Sequence, residues 1–307
     1  MANANFIAAV IQQAIEGNDK SANLDKTEHL IRDAVEKGAE LIVLQELHAT
    51  QYFCQEENTD YFDMAESLDG YTYTRCAQLA EELDIVLVIS QFERRAAGIY
   101  HNTAQVIDGA EGRVGIFRKM HIPDDPGFYE KFYFTPGDAD GELAGFKPVQ
   151  TRLGKLGVLI CWDQWYPEAA RLMALAGADV LIYPTAIGWN PDDTEAEQER
   201  QRDAWVTIQR AHAVANGTPV LVANRTGFEG SPLSDAAGIE FWGTSFICGP
   251  QGEFLVLADS ESQGVFCAEI NLQQSETVRR IWPYFRDRRV DAYQGLTRRW
   301  LGDKSFN

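Results

Sequence analysis

Basic side chains are in short supply: 27 lysines and arginines stand against 46 aspartates and glutamates, a formal net charge of −19 at pH 7. Nucleic acid needs a basic face to neutralise its phosphates, and no Lys/Arg cluster of that size is present, which excludes nucleic acid as a partner. The acidity is compatible with a cationic ligand, and it equally serves to keep a protein soluble. Cysteine is sparse too. The five cysteines (Cys54, Cys76, Cys161, Cys248, Cys267) are odd in number and without C-x-x-C spacing. This argues against a disulfide framework and against a zinc site, and it fits a reducing, cytoplasmic compartment. Long apolar runs are missing, so no membrane span is expected. Met1-Ala2-Asn3-Ala4-Asn5 has neither the basic start nor the apolar core of a signal peptide. Linkers and internal repeats are also lacking, and 307 residues with 45% hydrophobic content suit one domain around a substantial core.

The most informative stretch is Leu156-Gly157-Val158-Leu159-Ile160-Cys161-Trp162-Asp163-Gln164-Trp165-Tyr166-Pro167-Glu168. Its mostly apolar start reads as a buried strand, and Pro167 suits the first position of a helix. Cys161 therefore falls at a strand-to-helix corner. Such a corner holds a nucleophile at the edge of a rigid sheet and leaves the next backbone N–H groups free to face an oxyanion. Most cysteines of soluble proteins are small buried hydrophobes, but the corner and the adjacent tryptophan make Cys161 a candidate nucleophile.

Other apolar runs alternate with helical patterns. Phe6–Gln12 reads as a strand, followed by a helix capped by Ser21 with Leu24, Ile31 and Val35 on one face and Gly38 after it. The strand Leu41–Leu44 ends in Gln45-Glu46, where burial would ready a carboxylate as a base, although a solvated loop glutamate has the same sequence. A helix through Arg75, Leu79 and Leu83 precedes the strand Ile85–Ser90, and three antiparallel strands are expected at 91–94, 102–107 and 114–117, the last leading to Arg118-Lys119. From His121 to Asp138 the chain is too rich in Pro and Gly for regular structure and too aromatic for a linker, so it reads as an ordered loop over a pocket. Helices at about 167–176 and 193–216 and strands at 180–183, 219–223, 244–248, 254–258 and 265–270 complete the pattern.

Glu46, Lys119 and Cys161 each end an apolar strand, and strand ends along one sheet edge converge. Glu46 in Leu-Gln-Glu-Leu, Lys119 in Arg-Lys-Met-His and Cys161 in Ile-Cys-Trp-Asp match, in order, the Glu-Lys-Cys triad of the nitrilase superfamily, which the chain resembles from the first strand to about Ile270. Membership implies an α/β fold, a four-layer α-β-β-α sandwich, paired across subunits as a homo-oligomer of at least two copies. The hydrolase domain would take residues 1–280. The Arg- and aromatic-rich tail, 281–307, would be an arm at a subunit interface or folded back on its own domain.

Within the superfamily the run His121–Phe134, the block Cys161–Arg171 and Tyr183–Gly188 most resemble the N-carbamoylputrescine amidohydrolases. Relatives that act on carbamoyl-β-amino acids or small amides share the triad and much of the corner. The resemblance implies a thiol amidohydrolase that uses no cofactor and no metal, acting on a small cationic carbamoyl substrate. Cys161 would be the nucleophile, Glu46 the base, and Lys119 with the Trp162 N–H the oxyanion holders. Glu130 matches a second family glutamate that orients the lysine or assists proton transfer. A Cys-His dyad with His121 is redundant, because Glu46 and Lys119 already supply a base and an electrophile. A non-catalytic scaffold would need none of the three together.

The far end of such a substrate carries an ammonium, which is costly to bury unpaired. Asp124, which closes His-Ile-Pro-Asp, is the expected partner with Asp125 beside it, although both residues also suit a Pro-Gly turn. Tyr52 is expected to add aromatic surface or a hydroxyl, Trp162 and Trp165 to flank the aliphatic chain, and Thr185 to contribute to the binding wall.

Overall fold

In a computed structural model, which describes residues 5–141, 144–190, 192–231 and 234–302, alternating burial sets the architecture. Met1–Ala4, where a signal peptide is not expected, and 303–307 of the tail lie outside the described residues. In β1 (Asn5–Gln12) Phe6, Ala8 and Val10 join one apolar cluster while Ala9 and Ile11 join another. A strand buried on both faces needs a layer on each side. One side is supplied by α1 (Lys20–Glu36) and α2 (Tyr71–Leu83), whose Leu24, Ile31, Cys76 and Leu79 pack on Ile42 of β2 (Leu41–Val43) and Leu87 of β3 (Val86–Ala96). The other side is a second sheet.

The first sheet continues through β4 (Ile99–Asp108) and β5 (Gly112–Arg118), and a short helix, α3 (Glu130–Tyr133), lies in the loop that follows. The second half of the chain supplies β6 (Val149–Thr151), β7 (Gly154–Val158), α4 (Pro167–Leu175), β8 (Val180–Pro184), β9 (Gly188–Trp189) and α5 (Glu195–Asn216). It then adds β10 (Val220–Ala223), β11 (Thr226–Ser231), β12 (Ser234–Trp242), β13 (Phe246–Cys248), β14 (Phe254–Leu257), β15 (Gly264–Asn271) and α6 (Leu272–Ile281). The two six-stranded sheets have the orders β15-β1-β2-β3-β4-β5 and β14-β13-β10-β8-β7-β6. Each has three parallel strands at its centre and antiparallel strands at its flanks. The two sheets thus share a topology with no repeat in the sequence, β15 from the end of the chain completing the first. Val10, Val43 and Val88 meet Leu156, Val158 and Ile182 between the sheets, and Met173 and Ala213 cover the outer face of the second, giving the α-β-β-α sandwich.

Several expectations are corrected. Ile85–Ser90 and 91–94 are not two strands but parts of β3, because the polar side chains at the supposed break are satisfied in place. Ser90 Oγ accepts from Leu47 N (3.1 Å), and Gln91 Oε1 accepts from Gln105 Nε2 (2.8 Å). Asp19, not Ser21, caps α1: its carboxylate accepts from the N–H groups of Ser21 (2.9 Å) and Ala22 (3.1 Å), which leaves Ser21 inside the helix. The small sheet β11-β12-β9 was not expected, since its glycines and serines blur the strand alternation. Nor was α6, which immediately precedes the tail. The start of the tail does pack on its own chain, with Phe285 under the guanidinium groups of Arg171 (5.2 Å) and Arg279 (5.3 Å).

Candidate active site

Three strand ends meet where the sheets face each other. Two residues of chain carry β2 into Glu46, β5 hands directly to Lys119, and Leu159-Ile160 link β7 to Cys161. All three lie at carboxyl ends of strands, where an α/β sheet opens its crevice. Glu46 and Lys119 are fully buried, and Cys161 is 4% exposed. Lys119 Nζ donates to Glu46 Oε1 at 2.8 Å and to Glu130 Oε2 at 2.6 Å, so one ammonium joins two carboxylates. Asn102 Nδ2 also donates to Glu46 Oε1 (2.6 Å), whereas Glu46 Oε2 is buried with no hydrogen-bond partner among the described residues. Tyr52 donates its hydroxyl to Glu130 Oε1 at 2.7 Å.

The Cys161 corner is held in a conformation that few side chains adopt. Its φ is 40°, and the residues from Cys161 to Trp165 form a short 3-10 turn. Asp163 sustains the turn: Oδ2 accepts from Ile160 N (3.0 Å), and Oδ1 accepts from His121 N (3.0 Å) and lies 2.7 Å from His121 Nδ1. His121 is stacked on Tyr166 at 3.7 Å. Trp162 follows the thiol in the first turn, where helical N–H groups have no partner inside the helix.

Burial governs the charges. It pushes the Cys161 thiol well above its ordinary range, with Glu46 adding to the effect and Lys119 opposing it. Burial also works against the charge on Lys119, but Glu130 and Glu46 outweigh it and hold the ammonium well above its ordinary value. Glu130 is pushed up to about 7 by burial, with Lys119 drawing it down and Glu46 pushing it up. The arrangement provides a neutral thiol, a carboxylate oxygen free to accept, and a fixed cation, the components of an acyl-transfer site.

A cavity of about 400 Å³ opens from Cys161. Trp162, Trp165 and Trp242 form much of its apolar wall, and Asp125 and Asp193 stand with Glu130 as its carboxylates. Among the described lining residues none is Lys or Arg. Of the side chains expected at a substrate, Trp162 and Trp165 line this cavity with their rings 6.3 Å apart. Three others do not. Asp124 points away to an exposed site 3.9 Å from Lys131 Nζ, because successive side chains of an extended segment diverge, and its neighbour Asp125 takes the wall. Tyr52 is buried on Glu130 and is not among the described residues that line the cavity. Thr185 is buried with its hydroxyl on Tyr183 O (3.1 Å), and its carbonyl accepts from Glu46 N (3.3 Å). It supports the Glu46 turn from below.

Asn102, Asp163, Asp193, Arg225 and Glu229 were missed. Asn102 sits inside a strand, where a polar residue has no positional signal. Asn224-Arg225, two polar residues directly after the apolar strand β10, carry the same strand-end signal as Glu46 and Lys119. Asp193 read only as the start of a helix.

The family model for carbon-nitrogen hydrolases matches residues 7–280. The chain is 44% identical over 281 residues to an N-carbamoylputrescine amidase of Arabidopsis thaliana, covering 91% of each chain. It is 39% identical to a citrullinase of Francisella tularensis, covering 97% of this chain and 100% of that one. A carbon-nitrogen hydrolase from Helicobacter pylori superposes with a TM-score of 0.92 at 48% identity, over 97% of this chain and 100% of the other. With the Glu-Lys-Cys cluster at the sheet edges and the match running through both halves of the sandwich, this chain belongs to the carbon-nitrogen hydrolase family.

Proposed function

We propose that the protein is an N-carbamoylputrescine amidase that works through a thiol-bound carbamoyl intermediate. The observation that carries the chemistry is the division of labour at Glu46: Oε1 is tied to Lys119 and Asn102, while Oε2 is buried and unpartnered among the described residues. Glu46 takes the Cys161 proton as sulfur attacks the carbamoyl carbon, and the oxyanion develops against Lys119 and the Trp162 N–H. Glu46 then gives the proton to departing ammonia. Water, deprotonated by the same carboxylate, attacks the thiocarbamate. The thiol is released with a carbamic acid, which falls to the amine and carbon dioxide. Glu130 keeps Lys119 oriented throughout.

The substrate rests on the relatives and on the wall of the cavity. Carbamoylputrescine presents a free ammonium, and a wall with Asp125 and Asp193 and no described basic residue suits that end. The citrullinase likeness favours a second reading, citrulline, whose α-ammonium suits those acids but whose adjacent carboxylate would find no basic partner among the described lining residues. Ammonia release from carbamoylputrescine, citrulline, carbamoyl-β-alanine and simple amides tests both: a preference for citrulline or carbamoyl-β-alanine overturns the first reading. A cytoplasmic setting is supported by the five unpaired cysteines. We also propose a 1–280 hydrolase domain with 281–307 as an arm in a homo-oligomer, supported by exposed Ile281, Trp282, Trp300 and Leu301.

A further inference from the structure

The catalytic cluster continues behind Glu46 and Glu130 into a closed ring of buried contacts. From Lys119 the path runs to Glu130, and from Glu130 Oε1 to the Tyr52 hydroxyl. Tyr52 N donates to Glu229 Oε2 at 2.6 Å, and Glu229 Oε1 accepts from Arg225 Nη1 at 2.6 Å. Arg225 Nη2 then donates to the carbonyls of Glu46 (3.1 Å) and Leu47 (2.7 Å), and Glu46 Oε1 returns to Lys119. Tyr52, Arg225 and Glu229 are each at most 2% exposed. Arg225 lies just after β10 and Glu229 in β11, so the small sheet reaches across to grip both the Glu46 turn and the Tyr52 segment.

Resting on the thiol-hydrolase reading above, we propose that Arg225, Glu229 and Tyr52 are positioning residues that hold Glu46 and Glu130 in place on the Lys119 ammonium. A buried Arg–Glu pair is poor value as simple stabilisation, since well-packed apolar side chains often serve as well. Its geometry suits a brace. Each of its members bonds the backbone or side chain of a residue that carries or adjoins a catalytic carboxylate, and the fork of the guanidinium fixes direction as well as distance. The charged and titratable groups around Glu130 are Lys119, Glu46, Tyr52, Cys54 and Cys161, and the hydrogen bond from Tyr52 favours its ionised form.

Tyr52→Phe, Glu229→Gln and the double variant test the ring on the best substrate of the wild type. Tyr52→Phe removes one hydroxyl without a cavity. It is expected to leave KM nearly unchanged and the fold intact with a Tm lowered by a few degrees, to lower kcat roughly 10- to 100-fold, and to move the acidic limb of the kcat/KM profile to higher pH by roughly half a unit or more. The double variant should lose no more than the worse single variant, because both act through one path. Unchanged kcat and pH profile in folded Tyr52→Phe, or multiplying losses in the double variant, overturns the proposal. If Glu229→Gln does not fold, Tyr52→Phe decides alone. A wild type that releases ammonia from no carbamoyl compound or amide sinks the hydrolase reading instead. The ring is then judged by iodoacetamide alkylation of Cys161, which needs no substrate. Loss of the Tyr52 hydroxyl loosens Glu130 on Lys119, the cation that favours the thiolate, and should shift the rate of Cys161 alkylation severalfold at fixed pH. No shift overturns the ring.

Discussion

At the scale of single residues, Cys161 leads because its thiol, its strained φ and its cation-flanked base coincide. Cys161→Ala is expected to cut turnover by about 10⁴-fold or more, since members of a catalytic unit each carry nearly the whole effect; a variant that retained a few per cent of wild-type ammonia release would remove the nucleophile assignment. Asp193 makes a sharper claim. Its carboxylate accepts from Gln201 Nε2 (3.1 Å) on the cavity wall. Asp193→Asn should weaken kcat/KM for carbamoylputrescine by about 1.5–3 kcal/mol, should spare the neutral analogue butylurea, and should exceed any effect of Asp124→Asn. Equal losses on both substrates would make Asp193 a loop support. That Glu46, Lys119 and Cys161 converge was legible because a polar residue that ends an apolar run occupies a defined place on a sheet edge. Asp124 and Tyr52 were placed wrongly because loop sequence does not say which way a side chain turns, and the donor to Glu130 is decided only by packing.

At the scale of elements, the sandwich was legible wherever strand faces and helix faces were both apolar, as in β1, β8 and α4. The sequence reading failed where burial was polar. Ser90, Gln91 and Glu93 look like a strand terminus, yet Glu93 is buried in β3 and accepts from Arg118 Nη2 (2.6 Å) and Thr103 Oγ1 (2.6 Å). β11 and the start of β12 failed for the opposite reason: Thr-Gly-Phe-Glu-Gly-Ser and Ser-Asp-Ala-Ala-Gly carry too little apolar side chain to show a period. The tail gives the prediction proper to this scale. A chain that stops at Ile281 loses Trp282, Phe285 and Trp300 together, and mass photometry should show a smaller particle than the mass of the removed residues accounts for. An unchanged number of subunits would confine the tail to its contacts with Arg171 and Arg279.

For the whole molecule, two buried groups tilt stability with pH in opposite senses. His48 is fully buried, neither ring nitrogen has a hydrogen-bond partner among the described residues, and burial pushes its pKa down to about 4 from an ordinary 6.5. Below 6.5 the unfolded chain takes up the proton first, so stability is lost as pH falls from 6.5 towards 4. Glu130, raised to about 7 from 4.5, is protonated in the folded state first, so its contribution is lost as pH rises from 4.5 through 7. Thermal unfolding should therefore show Glu130→Gln gaining on wild type between pH 5 and 8, and His48→Gln gaining on wild type as pH falls from 7 to 4.5. Parallel Tm curves for a variant and wild type would remove that group from the balance.

The ring around Lys119 also bears on how the chain reaches its native state. Its members come from both halves of the sequence, and the contact from Arg225 to Glu46 spans 179 positions. Local helices and hairpins can form long before such distant segments meet, because loop closure makes non-local contacts late and slow. Catalysis is then a clock for the last step of assembly. After dilution from denaturant, far-ultraviolet circular dichroism should recover first and ammonia release only when the two sheets have docked. A fragment carrying β1 to β5 should hold secondary structure without turnover, and mixing it with the rest of the chain should restore activity at a rate that depends on concentration.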